Sequence, residues 1–112
     1  MSLDPNSPDL PLAGPVFFDR RELDQILRVY GRMVAAGEWR DYAVAGHRDM
    51  AEFAVFRRSG DAPAYRIEKR PALRLKQGQW AVIGEGGHVL KRGRDLAQVL
   101  RVFDSRKFTV VE

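Results

Sequence analysis

The sequence contains no cysteine, which excludes a disulfide framework and every thiolate metal site. Its only histidines, His47 and His88, lie in separate segments with no partner at metal-ligand spacing, so no cofactor is expected. No apolar run approaches the roughly 18 to 20 residues that a spanning helix needs, so no membrane partner is expected. No basic stretch followed by an apolar run opens the chain, and a secretory signal is not expected either. Beyond residue 15 proline is confined to Pro63 and Pro71, whereas Pro5, Pro8, Pro11 and Pro15 crowd the start. Residues 1–15 are therefore expected to be a disordered Pro-rich tail, unable to form a helix or join a core. The absence of thiols and signals points to a cytoplasmic protein.

The 112 residues allow one domain with one two-layer core. The first helix announces itself through Asp19 and Glu22, spaced as a capping box, with Phe18 and Leu23 at the staple positions. Leu23, Ile26, Leu27, Tyr30, Met33 and Val34 repeat at helical spacing, and Gly37 is a suitable left-handed terminator. Asp24 and Arg28 are spaced for an ion pair on the polar side. Gly31 weakens a helix interior, and close approach to a neighbouring element is the expected reason.

After the helix the apolar period changes from 3.6 to 2. Tyr42, Val44, Phe53, Val55, Tyr65, Ile67, Trp80 and Val82 fall on one parity, broken by turns rich in Gly, Asp and Pro. A second helix is expected from near Gly93 or Arg94, with Leu96, Val99, Leu100 and Phe103 buried and Asp95 in its first turn. "KFTVV" reads as a last short strand. Residues 16–112 thus form a single α+β domain: a helix, a four- to five-stranded antiparallel meander, a helix and a short C-terminal strand, with the helices on one sheet face.

Catalytic chemistry finds little footing. "HRD" at His47–Asp49 matches a kinase catalytic-loop tripeptide, but the required asparagine five residues on is Ala54, and no glycine-rich loop or DFG follows. "GEGG" at Gly84–Gly87 lacks the Lys-Ser/Thr of a P-loop and reads as a hairpin turn. Ser2, Ser7, Ser59 and Ser105 lie in the tail or in connections, without a nucleophile elbow. The carboxylates are scattered among bases, and no acid/base pair stands out. The chain reads as a non-enzyme.

Charge is the feature that remains. The net +4 is uneven: residues 1–18 carry −2, residues 19–58 carry +1 and residues 59–112 carry +5. Arg57, Arg58, Arg66, Lys69, Arg70, Arg74 and Lys76, followed by Lys91, Arg92 and Arg94, form a candidate surface for nucleic acid or another polyanion. Phe56, Tyr65 and Trp80 are interleaved as a stacking platform requires, although Tyr65 and Trp80 share the core parity. Outward bases on strands also discourage edge pairing without binding anything. The second sheet parity carries Ala43, Ala45, Ala54, Phe56 and Ile83, a half-apolar face that points to a homodimer across the open sheet. A weaker third reading places a small-anion site, or an enzyme, near His88 and Arg92.

The run "VFFDRRELDQILRVYGRMVAAGEWRDYAV", with "YRIEKRP" and "LKRGRDLAQVLRVF", resembles the bacterial domain-of-unknown-function 2794 family over about residues 16–107. The resemblance implies a small cytoplasmic bacterial protein. It transfers no activity and no site residues.

Overall fold

A computed structural model describes residues 14–104. Most of the Pro-rich tail and the "KFTVV" strand expected near the C-terminus lie outside the described residues.

Helix α1 (Arg20–Ala35) starts where its capping box places it. The Asp19 Oδ1 accepts from the Glu22 N–H at 2.8 Å, and the Asp19 N–H donates to Glu22 Oε1 at 2.8 Å. Two orphan donors of the first turn are thereby satisfied reciprocally. The helix ends at Gly37, whose φ of +79° closes the turn. Its buried stripe differs from the expected one: Ile26, Val29 and Met33 are buried, while Val34 is 40% exposed. The reason is a second neighbour. Val29 shares a groove with Leu100 of the last helix, whereas Val34 lines an open recess with Trp39, Arg40 and Arg57. Asp24 and Arg28 make no ion pair; the helix is instead tied by Arg32 Nη2 to Asp104 Oδ1 at 2.6 Å. Nor does any neighbour approach Gly31, around which a Cβ would meet nothing within 4 Å.

Five strands follow: β1 (Asp41–Gly46), β2 (Ala51–Phe56), β3 (Tyr65–Lys69), β4 (Trp80–Gly84) and β5 (Val89–Gly93). They pair antiparallel in sequence order, so β1 and β5 are the edges. A short 3-10 turn, Pro71–Leu73, sits in the β3–β4 loop, because proline fixes φ and cannot donate to the ladder. Helix α2 (Leu96–Leu100) begins later than expected, since Asp95 is its N-cap, accepting from Ala97 N–H at 3.3 Å.

The registers confirm the parity argument. Tyr42–Val55–Tyr65 and Val44–Phe53–Ile67–Val82 form cross-strand rows on the side of the helices. Ile26, Met33, Phe53, Val55, Ile67, Val82, Leu96, Val99, Leu100 and Phe103 close the core from both layers. Trp39, in the link between α1 and β1, is 4% exposed and stands edge-on to Phe103 at 4.9 Å. At the other end Phe18 stacks on Trp80 at 6.2 Å.

Candidate functional site

The basic side chains do not form one surface. Lys69 has the core parity and turns toward α1, where its Nζ meets Glu22 Oε1 at 2.7 Å and the Phe17 carbonyl at 3.0 Å. It joins β3 to the capped end of α1 and is largely buried. Arg57 lies at the opposite end of the sheet, against Glu85 Oε1 at 3.8 Å and over the Tyr65 ring at 5.8 Å. Arg58 is exposed in the same β2–β3 turn.

Arg66 and Arg70 belong to the face away from the helices, and there they are engaged. The register sets Glu52 directly opposite Glu68, an arrangement that would be repulsive alone. Arg66 relieves it, with Nη1 at 2.9 Å from Glu68 Oε2 and 3.8 Å from Glu52 Oε1. Arg70 Nε donates to the other oxygen of Glu68 at 3.2 Å. His47 approaches Glu52 at 4.0 Å. Glu68 is 6% exposed, the most deeply placed charge among the described residues. The centre of this face is therefore an ion-pair network, in which Glu68 and Glu52 hold Arg66 and Arg70.

That network changes the place of the candidate interface. Ala54 and Ile83, flanking Arg66 in the cross-strand row, are already 5% and 4% exposed within the chain. Phe56 is half-buried. Ala43 and Ala45 are on β1, an edge with a different character. His47 N–H donates to the Met50 carbonyl at 2.8 Å, so by antiparallel alternation Asp41, Ala43 and Ala45 spend their backbone groups on β2. Tyr42, Val44 and Gly46 direct theirs outward. Between Asp41 and Gly46 there is no charge, and Tyr42 and Val44 are 41% and 43% exposed.

The other edge is built differently. β5 carries Lys91 and Arg92 and is displaced by a bulge between Val82 and Ile83. His88 and Arg92 stand at opposite ends of this strand. His88 lines a shallow recess with Arg57 and Glu85, whereas Arg92 Nη1 reaches the Gly78 carbonyl at 3.3 Å. The small-anion reading that joined His88 to Arg92 loses its geometry. Trp80 and Tyr65, 3% and 8% exposed, offer no stacking platform either.

Arg74, Lys76, Lys91, Arg92 and Arg94 remain. Gly78 (φ +106°) packs on Gly93 so closely that a Cβ would lie 2.4 Å from the Gly93 carbonyl carbon. This contact and the Arg92–Gly78 bond bring the β3–β4 loop against the end of β5. Among the described residues none of these five side chains has an acidic partner within 4.0 Å. The split into engaged and free bases depends on register and loop packing, which composition does not reveal.

No helix among the described residues is long and apolar enough to cross a membrane, and no group of three or more His, Asp or Glu there is arranged to hold a metal ion. No curated protein and no solved structure matches the chain. A family model described as a protein of unknown function (DUF2794) matches residues 16–100, which span α1, the whole sheet and α2. With most of its length accounted for by that model, the chain belongs to the DUF2794 family.

Proposed function

We propose that the protein is a small non-enzymatic interaction module that assembles with a second copy of itself through the β1 edge. The observation that carries this reading is the contrast between the two edges. β5 is guarded by charges and a bulge, the usual devices against edge pairing, and β1 has neither between Asp41 and Gly46. Tyr42 is held rigid by stacking on Phe53 at 4.8 Å and by the Tyr30 ring at 4.8 Å. It therefore presents apolar area without much further loss of freedom.

Antiparallel pairing about a two-fold axis at Val44 sets Tyr42 of each copy opposite Gly46 of the other, beside the Val16–Phe17 segment that packs on Gly46 and donates from the Val16 N–H to the His47 carbonyl at 2.7 Å. The result is one continuous sheet with β5 at both ends. Ala43 and Ala45 keep their place in the interface, while the ion-pair network of the open face stays outside it. The reading includes a reducing cytoplasm, which a chain without cysteine suits.

Sedimentation equilibrium from low to high micromolar concentration tests it. The mass should rise toward twice 12.7 kDa, and Val44→Lys, a charge at the centre of the edge, should hold the protein monomeric and folded. A wild-type chain that stays monomeric at high micromolar concentration overturns the proposal.

A further inference from the structure

The corner where the β3–β4 loop meets the end of β5 carries bases with no acidic partner within 4.0 Å among the described residues. From residue 69 to 84 and from 86 to 94 the sequence contains no Asp or Glu. Asp95, next to Arg94 in sequence, caps α2 by accepting from the Ala97 N–H through one carboxylate oxygen and keeps its charge. Arg74 and Lys76 are exposed on the loop, and Lys91 and Arg94 are exposed on and just after β5. Arg92 commits one N–H to the Gly78 carbonyl and keeps the rest of its fork. Gly78 against Gly93 fixes the loop to the end of β5, beside Arg94 and on the side of Arg92, whereas Lys91, opposite Val82, turns to the helix side of the sheet.

Edge protection explains only part of this. Lys91 and Arg92 sit on β5 and guard it, but Arg74 and Lys76 are in a loop and Arg94 lies beyond the strand. Arginines placed beside lysines suit phosphate oxygens, through paired N–H groups and point charges respectively. Single-strand binders add aromatic stacking to such charge, and here the nearest large aromatic, Trp80, is buried under Phe18. A duplex, with its denser backbone charge, needs no stacking.

We propose that Arg74, Lys76, Arg92 and Arg94 form a docking site for the phosphate backbone of a nucleic-acid duplex, read without regard to sequence. The site is separate from the β1 edge and stands whether or not the chain pairs with a copy of itself.

The test is fluorescence anisotropy with a labelled mixed-sequence duplex at increasing salt. Contact with four phosphates gives a log–log slope of about −3.6, a loss of roughly 150-fold between about 50 and about 200 mM salt. The triple variant Arg74→Glu/Lys76→Glu/Arg94→Glu should weaken binding at least tenfold. Arg40→Glu/Arg57→Glu/Arg58→Glu reverses as many charges at the opposite end of the sheet and should change it less than twofold. Thermal melts of both variants establish that they fold. Equal losses in the two triples would reduce the effect to net charge and overturn the site. Absence of wild-type binding at low salt would overturn it too. So would retention on vesicles rich in phosphatidylserine without duplex binding, because the patch would then belong to a lipid surface.

Discussion

Arg66 and Glu68 stand two residues apart on β3, turn to the same open face of the sheet, and join Nη1 to Oε2 at 2.9 Å. The pair organises that face. Glu68 also accepts from Arg70, and Arg66 bridges to Glu52 across the strand. A buried carboxylate with charged donors on both oxygens is costly to neutralise, because its partners are left without an acceptor.

Glu68→Gln should therefore destabilise the fold by about 1 to 2 kcal/mol, the lower part of the range for charged hydrogen bonds, since both arginines are about a third exposed. Glu52→Gln should shift stability by less than about 0.5 kcal/mol, as its contacts are long and it faces Glu68. Urea denaturation midpoints decide between them. Equal shifts in the two variants would mean that Glu68 holds no special place.

Much of this architecture can be read from the residues, and the reasons for the gaps are specific. Asp19 and Glu22 are local signals three residues apart, so the capping box appears in sequence and structure alike. The meander is readable because period 2 and turn residues are local too. Lys69 shares parity with Tyr65 and Ile67, a signal that sets it on the helix side and apart from Arg66 and Arg70. Glu68 is different: its pairing with Arg66 requires only strand spacing, but its opposition to Glu52 requires the register. Trp39 had no periodic neighbours to mark it as core, since its partners Tyr65 and Phe103 come from distant elements. The edge role of β1 likewise depends on strand order, which the apolar pattern leaves open.

Two glycines should respond oppositely to a methyl group. Gly31 lies inside α1 with open space where a Cβ would go, so Gly31→Ala should stabilise by about 1 kcal/mol through helix propensity. Gly78 has φ +106° and the Gly93 backbone 2.4 Å from its virtual Cβ. Gly78→Ala should then destabilise by about 2 kcal/mol or more, from backbone strain and the clash together. Thermal melts with the two variants moving in the same direction would contradict the packing described for these positions.

Self-pairing through β1 carries a thermodynamic signature. If only the folded chain pairs, the melting temperature rises with protein concentration. Wild type should show that dependence and Val44→Lys should not, with the two converging at high dilution. The Val44 side chain is 43% exposed and outside the buried core, so the variant should cost the monomer little. A concentration-independent melt in wild type would count against the β1 edge.

Tyr30 offers a test at alkaline pH. Its phenol pKa is raised above the ordinary 10.0 chiefly by burial, and further by the charge of Asp41 and by Tyr42. Raised in the fold, the group holds its proton to higher pH there than in the unfolded chain. Its contribution is fully present below the unfolded value and is lost as pH rises through the folded one. Wild-type stability should therefore fall more steeply above about pH 10 than that of Tyr30→Phe, which has no proton to release. Asp41→Asn should lessen the difference only partly, because burial is the larger cause. The measurement is the difference in denaturation free energy between wild type and Tyr30→Phe from pH 8 to pH 11, roughly the span bracketing the phenol. A difference that stays flat across that range would mean that Tyr30 ionises as freely in the fold as out of it.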